Sequence, residues 1–373
     1  MMRTANNGLY RLFARAGVLV LTVIFLGILG AGCETKPPSI GELDEIYVFA
    51  DSVDWPDYQH ALDTLFGKIT LMPVAEKEYL IRWRPFSEFE QYKTRKNLML
   101  IARLDSKLPV SAEVSSLLSE EIKAGITSGK YFYIPQKDVW ALEQYVVFLV
   151  APTKNDMIQR LYDLGQLVYD DFEKAYYNRL RNQMFRYMEN KDLEEYLAKH
   201  FPFTLRLQPD YILVDESLEE RYVWLRRFQQ LPNGLIDRSI VVHWMPYTDT
   251  IRITYDWIVK QRNRLAAKLY EGDVIVEEET RLVKGTFGNR YHQWPCLRLE
   301  GTWKNMKHLI GGPFRTIVFV DKKTNRIYMI DFYVTAPGRR KKPLLDQLEV
   351  IAHSFRLVEK AGKQTAGLGL SGG

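Results

Sequence analysis

Apolar residues recur along this chain with two periods, and the change from one to the other marks its elements. The run at 45–50 (EIYVFA) predicts a strand too apolar for a sheet edge. A helix follows over 55–66, with Asp54 as its cap and Gly67 as its stop. Further strands are predicted at 79–83, 97–104 and 145–150. Between the last two lies a helix over 111–126, with Val114, Leu117, Leu118, Ile122 and Ile126 on one face. The longest helix is predicted over 154–189. Along it Met157, Leu161, Leu164, Val168, Phe172 and Ala175 keep a three-four spacing, which reads as a core stripe. A short helix at 193–200 ends this half before Pro202.

The second half is mostly β: 203–207, 211–214, 221–228, 239–245, 273–284, 294–303, 314–320 and 326–334. Leu231-Pro232-Asn233-Gly234 is a strong turn signal. A helix over 251–270, capped by Thr248 or Asp249, and a final helix over 342–355 complete the pattern. It predicts an α/β (α+β) protein of two sheet-plus-helix halves, 42–200 and 201–358, each with an antiparallel or mixed sheet. Strand exits at Ala151-Pro152 and Ala336-Pro337 fit a pseudo-two-fold repeat. The plainer account is that Ala-Pro is a common way to leave a strand.

The N-terminus obeys a different rule. Arg3, Arg11 and Arg15 precede the uncharged, Leu/Val/Ile-rich stretch 16–29, and small residues then lead to Cys33. The stretch is short for a spanning helix, which needs roughly 20 apolar residues. This is the layout of a bacterial lipoprotein signal: cleavage after residue 32 and acylation of the Cys33 thiol. Gly30 stands where leucine is usual, while Ala31 and Gly32 fit. An uncleaved membrane anchor is the alternative. Residues 33–41 then form a short Pro-containing tether and 359–373 a loose tail. No acidic run follows Cys33, so the domain is expected in the cell envelope, held at the outer membrane and facing the periplasm.

Charge changes meaning once the signal is set aside. It holds three of the 51 basic residues and none of the 46 acidic ones, so its loss lowers the net charge from +5 to +2. A nucleic-acid reading therefore fails. Only two cysteines exist, and with Cys33 acylated no disulfide forms within the chain. Cys296, in the apolar run Trp294-Pro295-Cys296-Leu297, reads as a small buried hydrophobe rather than a nucleophile.

The lipoprotein start, the two Ala-Pro exits, Trp303-Lys304-Asn305, Gly311-Gly312-Pro313-Phe314 and the closing strand and helix together resemble a family of Bacteroidota lipoproteins, domain of unknown function 4837. The resemblance spans about 42–357 and implies a Gram-negative envelope lipoprotein, with no activity to carry over. The final strands and the helix ending Ile351-Ala352-His353-Ser354-Phe355 are also similar to the end of PsbP and Mog-type sandwiches, whose members mostly bind partners.

Candidate chemistry is sparse. No GxSxG, HExxH, Walker or GxGxxG motif occurs. No two of the six histidines stand at helical metal-pair spacing; His292 and His308 flank one strand and could meet in space. His243 lies a few residues before Asp249, a possible acid–base pair, but a backbone carbonyl is its commoner partner. Glu277-Glu278-Glu279 reads as a solvated edge or turn. Gly311 and Gly312 read as a tight turn, or as the backbone wall of a ligand groove with Trp303 and Phe314 as apolar walls and Asn305 as polar contact. Arg339-Arg340-Lys341-Lys342 opens the last helix, where the dipole disfavours cations, so an anionic partner such as lipid phosphate is the functional reading and a solvated loop the plain one. The sequence thus points to an envelope protein that binds a ligand or envelope partner without catalysis, with no metal and no cofactor. A hydrolase acting on envelope material is the alternative.

Overall fold

A computed structural model describes residues 36–70, 74–232, 234–288 and 293–358. Cys33, the signal 1–32, His292 and the tail 359–373 lie outside them. No helix among the described residues is long and apolar enough to cross a membrane. The chain divides into two compact units. One comprises residues up to 69 with 77–179, the other 70–76 with residues from 180 onward.

The first unit is laid out as β1 (Glu45–Ala50), α1 (Trp55–Phe66), the short strands β2 (Ile69–Thr70) and β3 (Glu76–Lys77) at its border, β4 (Leu80–Arg84), α2 (Phe89–Tyr92), β5 (Asn97–Arg103), α3 (Pro109–Ser116), α4 (Glu120–Thr127), β6 (Tyr133–Lys137), β7 (Tyr145–Ala151) and α5 (Lys154–Met184), which runs across the division. Its sheet has the order β4-β1-β5-β7-β6, parallel except for the β6 edge. β1, β5 and β7 are buried along nearly their whole length, as parallel strands covered on both faces must be. Tyr47, Phe49, Leu98, Leu100, Val146 and Phe148 pack on α3 and α4 through Val110, Val114, Ile122 and Ile126. On the other face Phe172 of α5 meets Phe66 and Tyr145 edge-on.

Two local expectations change here. The helix predicted over 111–126 is two helices, because Ser119 turns the chain and caps α4 by accepting from Ile122 N at 3.3 Å. The α5 stripe does not run through Leu164, which is exposed. Gly165 takes the inward place, where a Cβ would lie 2.3 Å from a Leu65 methyl.

The second unit continues with α6 (Lys191–His200), β8 (Phe203–Thr204), β9 (Ile212–Ser217), β10 (Tyr222–Leu231), β11 (Gly234–Pro246), α7 (Tyr255–Leu269), β12 (Val274–Gly288), β13 (Gln293–Asn305), β14 (Ile310–Asp321), β15 (Arg326–Thr335), α8 (Lys342–Ala352) and β16 (Arg356–Leu357). Seven long strands form an antiparallel sheet, β12-β13-β14-β15-β11-β10-β9. Helix α7 covers one face through Ile258, Leu265, Ala266 and Leu269. Its cap is Thr254 rather than Thr248 or Asp249, accepting from Trp257 N at 3.3 Å. Beyond the other face, Phe201, Phe203, Trp244, Phe319, Tyr328 and Phe355 form one aromatic cluster.

The fold is thus the mixed α/β architecture with antiparallel and mixed sheets that the pattern predicts. The halves do not repeat each other, however. One sheet is mainly parallel and five-stranded, the other antiparallel and seven-stranded. The shared Ala-Pro exits reflect only the geometry that proline imposes at a strand end.

Candidate functional site

The residues singled out in 303–314 come together under α7, inside the core. Trp303 and Phe314 are 1% and 0% exposed, so neither is the wall of an open groove. Gly311 and Gly312 are strand residues of β14, not a turn. Cβ atoms on them would stand 2.6 Å from Trp303 O and 2.0 Å from Val334 O, so only glycine fits between the neighbouring strands. The turn lies at 306–309, where Leu309 takes the left-handed backbone at φ 52°. Asn305 works inside the protein. Its Nδ2 donates to Asp273 Oδ1 at 2.7 Å, and its Oδ1 accepts from Lys307 N and His308 N, closing that turn.

Around these residues the α7 layer holds an unusual set of polar groups. Arg262 projects from α7 into the sheet and is fully buried. Its guanidinium lies over the Phe314 ring at 4.2 Å, and its Nε donates to Asp331 Oδ1 at 3.1 Å. Asp331 also accepts from Thr316 Oγ1 at 2.5 Å and from Tyr270 OH at 3.4 Å. Among the described residues Arg262 Nη1 and Nη2 have no hydrogen-bond partner, and neither has the buried Trp303 Nε1. Trp303 packs edge-on against Tyr333, and Tyr333 against Tyr270, so these groups share one compartment. Burial pushes the Asp273 carboxyl up to about 6; the Asn305 hydrogen bond and the Arg262 charge oppose the shift without cancelling it. The burial of so many strong donors had no sequence signal. Arg262 sits in a polar stretch (Lys260-Gln261-Arg262-Asn263) that reads as a solvated helix face.

The basic run at the start of α8 also resolves. Lys342 is buried and paired with Asp346 at 2.6 Å, so it is withdrawn from any outside anion. The cost of cations at a helix N-terminus is offset by Glu76, a residue of the same unit. Its carboxylate accepts from Lys341 N at 2.7 Å and Lys342 N at 3.1 Å and lies 3.7 Å from Arg340 Nε.

Other candidates are occupied. His243 Nδ1 is 2.7 Å from Arg221 O, and burial lowers its pKa to about 4. His308 and Lys307 both pair with Glu271. Burial raises the pKa of the half-buried Cys296 thiol. Glu279 accepts from Thr302, and Glu277 and Glu278 are exposed.

A further constellation lies in the first unit and carries no sequence motif. Among its parallel strands the winding reverses between β1 and β5, and sheets of this kind bind ligands beyond the carboxyl ends at such a reversal. Asp51 follows β1 there. Its carboxylate accepts from Val110 N at 2.9 Å and Ser111 N at 3.2 Å, at the start of α3, and from Ser111 Oγ at 2.6 Å. Beside it Arg103 bridges Asp54 and Asp105, each at 2.8 Å. This pairing also takes Asp54 away from capping α1. The protein's own carboxylate stands where a bound anion would.

Comparisons with known proteins agree with the unequal units. Residues 190–354 match the domain of unknown function DUF4837, whereas 39–185 match a different one, DUF8532. The resemblance read over 42–357 therefore holds for the second unit only. No curated protein matches the chain. Solved structures similar to it include LpqN of Mycobacterium tuberculosis, described as involved in cell envelope biogenesis (16% identity, 42% of this chain and 83% of that one, TM-score 0.27). A protein of Bacteroides thetaiotaomicron (11%, 43% and 47%, TM-score 0.24) and the yeast Ran-binding protein Mog1p (12%, 42% and 91%, TM-score 0.26) are also similar. At these TM-scores the likenesses carry no functional argument. What the comparisons show is therefore a match of residues 190–354 to the DUF4837 family model.

Proposed function

We propose that this chain is a cell-envelope lipoprotein, acylated at Cys33 and facing the periplasm, that binds a small anionic ligand beneath α7 without transforming it. One observation carries the reading. Arg262 Nη1 and Nη2 and Trp303 Nε1 are buried donors with no hydrogen-bond partner among the described residues. Each buried donor left unmade costs about 1–3 kcal/mol, more for a charged group, so a polar guest that accepts from them is favoured. An anion suits donors of this kind, and a planar carboxylate or a phosphate oxygen pair matches the guanidinium fork.

The hydrolase alternative draws on Asp273, a carboxyl held near neutral pH in the same compartment as the Asp331 charge. Arg262 separates the two readings. Protein purified from its own envelope without denaturation is extracted, and released anions are identified by mass spectrometry. Binding predicts one anion released intact by the unaltered protein and absent from Arg262→Met. Recovery of a cleaved pair, restored to its uncleaved form in Asp273→Asn, would favour the hydrolase. Release of nothing from either protein would remove the ligand. Intact-mass analysis of the same preparation tests acylation at Cys33 separately.

A further inference from the structure

Several segments of the second unit end together at one margin of its seven-stranded sheet. Asn305 pairs with Ile310 across the β13–β14 turn, and Val274, opening β12, pairs with Lys304. Phe314 lies opposite Tyr333, so the exit of β15 into 336–341 falls beside that turn. Asp237 lies opposite Thr335, which brings the β10–β11 turn to the same margin. The strand register alone therefore gathers the 306–309 hairpin tip, residues 339–341 and the end of the β10–β11 hairpin.

This margin has a distinctive chemistry. Met306 and Leu309 are 69% and 83% exposed, and Ile310, Val274 and Leu235 are exposed nearby. They stand singly on turns and strand ends rather than in one flat patch. Cations are interleaved with them. Glu271 takes Lys307 and His308, and Glu76 takes Arg340. Among the described residues no carboxylate pairs with Lys304, Arg339 or Lys341, which leaves the margin with surplus positive charge. Leu309 adds a further sign. It holds a backbone conformation that glycine adopts freely, yet places a large apolar side chain in water.

We propose that this margin docks on an anionic lipid surface. The tips bearing Met306, Leu309 and Ile310 enter the boundary between headgroups and acyl chains, while Lys304, Arg339 and Lys341 meet lipid phosphates. Scattered apolar tips ringed by cations match an interfacial anchor. A protein partner of ordinary size wants a contiguous apolar centre with a polar rim. The proposal concerns a surface separate from the α7 compartment and stands whether or not that compartment holds a ligand.

The test uses the full chain reconstituted into vesicles of phosphatidylcholine with phosphatidylglycerol. Cys296→Ser gives the background, and an environment-sensitive fluorophore is placed through Met306→Cys or, at the opposite margin, through Lys323→Cys in the β14–β15 turn. We expect emission from position 306 to shift to the blue and to be quenched by lipid-borne nitroxides at least several-fold more than emission from 323. Combined Lys304→Gln, Arg339→Gln and Lys341→Gln changes should cut that quenching about tenfold or more. Those changes leave the backbone cap by Glu76 intact. Leu309→Gly, which the backbone there accepts, should lower the quenching while raising the melting temperature. Equal quenching at both positions, water-like emission at both, or protection of 306 only in native envelopes carrying other proteins would overturn the proposal. The last outcome would assign the margin to a protein.

Discussion

The two faces of the seven-stranded sheet treat a buried arginine in opposite ways. On the α8 face Arg315 meets Asp346 at 3.3 Å, Glu349 at 3.1 Å and Glu300 at 3.5 Å. Those carboxylates are shared in turn with Lys342, Arg281, Arg298 and His353. On the α7 face Arg262 has one carboxylate, Asp331, and two nitrogens without a hydrogen-bond partner among the described residues. Both guanidiniums are out of water, so both should demand full pairing. The α8 face supplies three carboxylates from within. The α7 face supplies one, and the anion proposed above is the partner we assign to the remaining nitrogens of Arg262.

The sharpest way to break this comparison is Arg315→Met. It leaves Glu300, Asp346 and Glu349 without their central cation and should cost about 3–5 kcal/mol in urea unfolding. A loss below about 1 kcal/mol would mean that the network is not structural.

The faces should also respond to pH with opposite sign. Burial acts to raise the Glu349 pKa, but Arg315 and His353 outweigh it and hold the carboxyl well below its ordinary range. Its stabilising share is therefore present above the unfolded carboxylate pKa and lost as pH falls through the lower folded value. Asp273 is displaced the other way, from 3.8 to about 6. Its share is full below about 3.8 and lost as pH rises through about 6. By linkage that loss is on the order of 2–3 kcal/mol. Asp273→Asn should flatten the stability profile between pH 4 and 6, and an unchanged profile would locate the titration elsewhere.

The first unit offers a smaller, closed counterpart. Asp51 fills the reversal of its own sheet, and Asp51→Asn should cost about 1–2 kcal/mol by weakening the start of α3. The smallest expected effect belongs to Arg262 and Asp331 replaced together by Met and Val. Removing a buried pair as a unit is often near neutral. Stability within about 1 kcal/mol of the unaltered protein would show that the pair is kept for something other than the fold.

Much of the architecture could be read from periodicity. The continuous apolar runs at 45–50 and 145–150 marked buried strands without revealing that they lie in a mainly parallel sheet, and the second half read correctly as mostly β. What escaped were features set by contacts distant in sequence. Ser119, inside an apolar helical pattern, breaks it by a local hydrogen bond. Gly311-Gly312 looked like a turn because glycine pairs usually are, whereas here the approach of Trp303 and Val334 from neighbouring strands decides. Glu76 and the basic run it caps are more than 260 residues apart. Trp303, Asn305 and Phe314 do converge, but as part of the core beside Arg262. Arg262 itself carried no signal, because a lone arginine on a helix is nearly always solvated.

The central claim is that the open donors beside Asp331 hold an anion. Crystallographic density around Arg262 Nη1, Nη2 and Trp303 Nε1, in protein purified from its own envelope, tests it most directly. The account predicts one continuous multi-atom feature accepting from these three nitrogens. Separate water peaks, or a guanidinium turned to a partner within the protein, would contradict it.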